Sequence, residues 1–383
     1  MRFSRIQALI YKEWREILRD RLYSLMTFGV PAITLIVLGY GISTDVERIP
    51  FAVLDGDQST LSREYLHRFM DSRYFDFQGE ATDTRVLDTL LADSRIRFAL
   101  IIPPQFQRDL LAGRSVAVQS LIDGIFPYRA QVNKGYVSAI NAHFSTWLLE
   151  NYLMERGFSQ AAARRTIQPV RLEIRALYNQ AVRSRWSMGS GLIMLVLMFS
   201  PPFLTALGIV REKENGSIYN IYASPVSSGE FLLGKLLPYV FLSSINVFLL
   251  WALATGLFGT PFKGNPWFFL GASFLFVTCT TGIGLLISLL ARTQAAAAIL
   301  AMVLTFIPAI LYSGLLVPVE SMDAATRSQA QLFPGVYYLQ IVWGSFLKGL
   351  GWSVLWDKVA LLGIYALIVW TLGLHSFHKR PKR

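Results

Sequence analysis

Residues 186–210 read WSMGSGLIMLVLMFSPPFLTALGIV, 25 positions without one ionisable side chain, and REKENG (211–216) follows at once. A helix rises about 1.5 Å per residue, so this run is longer than the roughly 30 Å hydrocarbon core of a bilayer. The change to Arg211, Glu212, Lys213 and Glu214 marks a membrane–water boundary. Four further stretches have the same character: Leu22–Ile42, Leu236–Phe262, Gly264–Ala291 and Thr293–Val319. A shorter one, Val359–Leu374, ends on His375 and Phe377, which suit the interface. The reading is an α-helical polytopic membrane protein with six transmembrane helices. The uncharged Leu332–Leu347 is short and carries Pro334 near its start. It is read, within 320–358, as a re-entrant or interfacial helix pair on the outer face.

Composition and charge support this. The chain of 383 residues is 53% hydrophobic and 16% charged, against about 25% charged in an average soluble domain. Residues 1–21 hold six basic and three acidic side chains, and Lys379, Arg380, Lys382 and Arg383 form a basic tail at 379–383. By the positive-inside rule both termini are cytoplasmic, in agreement with an even number of spans. Residues 43–185 hold 18 basic and 16 acidic side chains, a net of +2, and are expected outside. The overall +11 reflects topology and attraction to anionic membrane lipids. No basic stripe interleaved with aromatics points to nucleic acid. The single Cys279 lies within the fourth span, so no disulfide forms within the chain. Glu13, Glu16 and Asp20 precede the first apolar run, which is longer than a signal peptide's, so it is expected to remain as an anchor.

Before that run, residues 1–21 place Ile6, Leu9, Ile10, Trp14, Ile17 and Leu18 on one helical face, with Lys12, Arg15, Arg19 and Asp20 on the rest. That is an amphipathic helix suited to the inner interface. Residues 43–185, between transmembrane helix 1 (22–42) and the later spans (186–378), read as an inserted α/β domain. Strands are expected at Ile49–Leu54, Tyr74–Gln78, Phe98–Ile102, Val116–Ile122 and Val170–Ala176. Helices are expected at about 60–72, Asp83–Ala92, Gln105–Leu111 and Lys134–Arg156. Strands alternating with helices argue for parallel pairing. No catalytic constellation and no metal-ligand spacing emerges: His67 and His143 are far apart, and Asp55 and Asp57 around Gly56 read as turn chemistry.

The segment 211–235 opens with alternating charge and turns at Asn215-Gly216. A short helix with Ile218, Ile221 and Tyr222 is expected next, broken by Pro225. A charged, partly apolar knuckle of this kind suits docking into a groove on a soluble partner. Arg211, Glu212, Glu214, Gly216, Ser217 and Pro225, with Gly234 and Lys235, resemble the coupling-helix region of ABC-2 type transporter permeases. Lys12, Glu13, Trp14, Arg19 and Asp20 resemble the connecting helix of that family, and Ser313-Gly314 through Pro318–Met322 resembles its stretch after span five. The layout, with a large extracytoplasmic domain between helices 1 and 2, resembles the drug-export branch. The resemblance implies a bacterial inner-membrane exporter subunit with a separate ABC ATPase subunit. It also implies a second permease subunit, identical or not, and allows a periplasmic adaptor. ATP and Mg would sit on the ATPase, and this chain would bind no cofactor.

Gly229–Lys235 has the GxxxxGK spacing of a phosphate-binding loop, but Leu236 stands where Ser or Thr would hold Mg²⁺. The spans as bounded above contain no Asp, Glu, Lys or Arg, which argues against an ion-coupled transporter. Their mild polar content suits an apolar or amphipathic cargo, a drug-like compound or a lipid. Gly282, Gly284 and Ala295–Ala298 permit close helix contacts, within one subunit or between two.

Overall fold

The computed structural model describes residues 3–41, 46–167, 177–179, 184–216 and 226–376. The expected strand 170–176, the positions 217–225 and the tail 379–383 lie outside them. The chain forms two compact units, one of residues 44–175 and the other of residues 1–43 with 176–383.

The second unit begins with α1 (Phe3–Arg19), a short turn Arg21–Ser24, and the apolar helix α2 (Leu25–Gly41), which opens with a π-type turn over Leu25–Gly29.

Unit 44–175 is built on a sheet in the order β2-β1-β3-β4. The strands are β1 (Ile49–Asp55), β2 (Phe75–Glu80), β3 (Phe98–Ile102) and β4 (Gln119–Ile122). β1 pairs in parallel with β2 and β3, and β4 runs antiparallel to β3. The helices are α3 (Thr60–Met70), α4 (Thr84–Ala92), α5 (Phe106–Leu111), α6 (Pro127–Glu155) and α7 (Gln160–Ile167). Phe51 on the central strand is the hub, its ring lying within 5.4–6.2 Å of Phe69, Phe75, Phe77 and Phe98. The turn after β1 explains its two acids. Asp55 accepts from the amides of Asp57 and Gln58 and from the Ser62 hydroxyl, and Asp57 accepts from the amide of Gln107. A Cβ on Gly56 would stand 3.0 Å from the Ile102 carbonyl, so glycine lets this turn lie on β3. Two boundaries differ most from expectation. α6 starts at Pro127, a residue suited to a first helical turn, and β4 starts at Gln119 because pairing with β3 begins only there.

The rest of the other unit is helical: α8 (Ser184–Glu214), α9 (Ser228–Gly256), α10 (Pro266–Leu290), α11 (Gln294–Tyr312), α12 (Ala324–Gln331), α13 (Pro334–Trp343) and α14 (Trp352–Ser376). Five of these, α8, α9, α10, α11 and α14, are long and apolar enough to cross a membrane, while α2 is shorter. α8 is the hub, with 83% of its apolar window buried, against 22% for α11 and α14. Pro201 and Pro202 sit inside α8. A Cβ on Gly284 of α10 would stand 2.6 Å from the Pro202 carbonyl, so the glycine lets the two backbones meet at the proline pair. Gly282 meets Val369 and Trp370 of α14, which places both small residues in contacts within one chain. Cys279 is buried. In the region 320–358, α12 and α13 form a helix pair. α13 continues into a π-type turn over Gly344–Lys348, and the two together rise about 20 Å, short of a bilayer core; Tyr338, Ile341 and Val342 on α13 are fully buried.

Two expectations are corrected by the helix bounds. α9 begins at Ser228, eight residues before the expected span, because Ser227 and Glu230 form a capping box. Glu230 and Lys235 are therefore buried charges inside this helix, and α14 carries Asp357 and Lys358. The long apolar helices are thus not free of ionisable residues.

Candidate functional site at the helix junction

The four charges that end α8 are each held within the chain. Arg211 contacts Asp20 at 2.9 Å. Glu212 receives Lys12 at 2.6 Å and Lys235 at 3.1 Å through one carboxylate oxygen. Lys213 donates to the Ser288 carbonyl at the end of α10. Glu214 accepts from the side chain of Gln294 at 2.7 Å, at the start of α11. The end of one helix thus ties together α1, α9, α10 and α11. The helix then stops at Asn215-Gly216, where Gly216 takes a φ of 71° that favours glycine.

The centre of the network is buried. Lys235 lies 2.6 Å from Glu13 and is 2% exposed, and Glu13 is 3% exposed. Tyr239 donates to the second oxygen of Glu13, and its hydroxyl lies 3.2 Å from that of Tyr23, which donates to the Leu204 carbonyl. Two glycines make the approach feasible. A Cβ on Gly208 would stand 2.0 Å from the Tyr239 hydroxyl, and one on Gly234 would stand 2.6 Å from Cβ of Leu9. Taking charges out of water is costly, and only close pairing with further hydrogen bonds repays it. Burial works against the Lys12 ammonium, but the hydrogen bond and charge of Glu212 hold its pKa above the ordinary lysine value. Burial pushes the Glu13 carboxyl up, and Lys235 offsets that only in part. The carboxylates of Glu13, Glu16 and Glu212 come within 4.8 Å of one another, a spacing suited to a cation. Lys12 and Lys235 already serve as the cations on Glu13 and Glu212.

The structure thus brings Lys12, Glu13, Asp20, Arg211, Glu212 and Lys235 into one cluster, and Glu13, Arg211, Glu212 and Lys235 line a cavity of about 90 Å³. Trp14 packs edge-to-face on Phe241 of α9 at 5.5 Å, and Arg19 is exposed. Ser217, Ile218, Ile221 and Pro225 lie outside the described residues. The apolar face of α1 is divided, with Ile17 buried and Leu18 57% exposed, while Glu13 points inward. The helix seats on α9 through a charge, and a hydrophobic wheel cannot register that. Arg211 and Glu212, expected on a knuckle offered to a partner, instead point back into the chain. Lys235, Tyr23, Tyr239 and Gln294 were not singled out for this cluster. Two signals in the sequence were available, Gly234-Lys235 beside a span and the single acids of residues 1–21. The GxxxxGK spacing lies within α9, whose amides serve helical hydrogen bonds.

The chain matches the family described as "ABC-2 family transporter protein" over residues 22–375, and it belongs to that family. It is a multi-pass membrane protein and an ABC-2 transporter permease. It is 29% identical to "Probable multidrug ABC transporter permease YbhS" of Escherichia coli, over 91% of this chain and 89% of that one. It is 26% identical to "Inner membrane transport permease YhhJ" of the same organism, over 96% and 95%. Similarity extends to "ABC transporter G family member 20" of Dictyostelium discoideum at 20% identity, over 93% of this chain and 50% of that protein.

Proposed function

We propose that this chain is the permease subunit of an exporter in the inner membrane, moving an apolar or amphipathic compound outward with energy from a separate ABC ATPase. The observation that carries the reading is the junction at Arg211–Glu214. A push on the segment after Gly216 is delivered to the end of α8, and from there to α1, α9, α10 and α11 through five polar contacts. α8 is the most buried of the long helices, so its displacement moves the others with it. In this reading ATP and Mg sit on the partner, and the permease works beside a second permease subunit. Both termini and Asn215 face the cytoplasm, with unit 44–175 on the other side. The names of the relatives, multidrug and inner membrane permeases, support the cargo class and location.

The buried Glu13, Glu212 and Lys235 favour a second reading, an ion-coupled transporter. Against it, each of these charges is matched by an opposite one within 3.1 Å. The test is export in cells that lack the native permease, together with co-purification of the cognate ATPase. Ile218→Asp and Ile221→Asp should each abolish export and release the ATPase, because losing a central apolar anchor costs about 2 kcal/mol or more. Normal assembly and export by both variants would defeat the proposal. Export that survives ATP depletion and stops with a protonophore would favour the second reading.

A further inference from the structure

Unit 44–175 carries a feature that the transport reading does not use. Helix α6 begins at Pro127, and Phe126 before it provides no side-chain cap. The first-turn amides of a helix have no acceptor within it, and here the positive end of a 29-residue dipole is left open. A cavity of about 240 Å³ lies at this end, and Arg48, Arg97, Arg129 and Asn133 line it. The guanidinium carbons of Arg97 and Arg129 stand 6.0 and 5.8 Å from the centre of the Phe126 ring.

The charges do not cancel. Arg97 is held by Asp123, whose other oxygen accepts from the Ile125 amide. Arg48 and Arg129 have no carboxylate partner among the described residues, and Glu47 is the one uncommitted acid on the lining. Arg48 sits at a φ of 52°, a left-handed backbone that a non-glycine residue rarely adopts. Asn133, 3% exposed, lines the same cavity, and its side-chain oxygen has no hydrogen-bond partner. Side-chain amides at such depth are normally paired. The Asn133 oxygen is the enclosed end, and its NH₂ is the end left open to donate to a ligand.

We propose that this cavity is a phosphate site, taking a phosphate mono- or diester on Arg48, Arg129 and the open amides of α6. Asn133 donates from the floor, and the ester's apolar part lies on Ile49 and Phe126. Guanidinium forks and a helix N-terminus both match the geometry of phosphate oxygens. A cavity of this size takes a headgroup and leaves any acyl chain outside.

The test uses the purified full chain in detergent, titrated with inorganic phosphate, glycerol 3-phosphate and dihexanoyl phosphatidic acid by calorimetry. Saturable binding of at least one is expected. Arg48→Gln and Arg129→Gln should each weaken it about tenfold, whereas Arg85→Gln, on exposed α4 surface outside the cavity, should not. Ala130→Glu gives a second variant. It adds an acid where a helix start favours one, so the fold is kept while the anion is repelled. Equal affinity for inorganic phosphate and for the lipid assigns the site to free phosphate, and preference for the lipid assigns it to a headgroup. No saturable binding of any probe, or binding unchanged in Arg48→Gln, Arg129→Gln and Ala130→Glu, overturns the assignment.

Discussion

Replacing Lys235 with methionine keeps the stem and removes the one ammonium that touches both buried acids of the junction. Glu13 is then left with Tyr239 alone, at 3.4 Å, while Glu212 keeps Lys12 at 2.6 Å. Removing one partner of a buried pair costs about 3–5 kcal/mol, because the other charge stays buried and unmatched. Lys12→Met is the control. That side chain is 43% exposed, so solvent screening leaves its loss at no more than about 1 kcal/mol. The cost of Lys235→Met should appear as α1 leaving α9 rather than as global unfolding, since the pair lies on the face by which α1 meets α9. Amide hydrogen exchange across α1 in the purified chain should speed up roughly 10²- to 4 × 10³-fold, following about 1.4 kcal/mol per decade. Glu13→Gln on top of Lys235→Met should restore most of the protection, because a neutral amide no longer needs the ammonium. Exchange in Lys235→Met within threefold or so of the parent (about 0.6 kcal/mol), or a double variant no better protected than the single one, would refute the buried-pair argument.

Gly208→Val should displace Tyr239 and lower export, while Gly256→Val, where a Cβ meets nothing, leaves export unchanged. Phe51→Ala should destabilise unit 44–175 by about 3–5 kcal/mol, read as early loss of β-sheet signal on heating, since the ring is fully buried at the sheet centre. The side chain of Ser59 and the amide of Gln107 hold the Asp57 carboxyl below its ordinary value, and the Ile125 amide with Arg97 does the same for Asp123. Both acids bind protons more weakly folded than unfolded. Their contribution to stability is present above the ordinary value of 3.8 and is lost as pH falls through the lower folded values. Asp57→Asn and Asp123→Asn should therefore flatten the acid limb of a stability–pH curve. Cysteines placed at positions 57 and 215 in a Cys279→Ala background should be labelled from opposite sides of the membrane, and labelling of both by an impermeant reagent in intact cells would overturn the proposed topology.

Runs of uncharged residues and the alternation of strand and helix patterns already specify the long apolar helices and an α/β unit with parallel pairing. These depend on local composition and on backbone hydrogen bonding that has no alternative in hydrocarbon. The turn at Asp55-Gly56-Asp57 was legible for the same reason, because its hydrogen bonds close within a few residues. Most of the junction was not. Its pairs to Lys12, Glu13 and Asp20 join positions separated by 191 to 222 residues, and no local rule states which acid meets which base. A hydrophobic wheel of α1 gives Glu13 no special place, whereas tertiary packing turns it inward because Lys235 waits there at the start of α9. That lysine was read as the edge of a span, since hydropathy marks where charge stops, while a capping box at Ser227 decides where the helix begins. The sequence determined which segments leave water, and the folded chain determined which of their charges go with them, since a charge can be buried only where its counter-charge is brought to it.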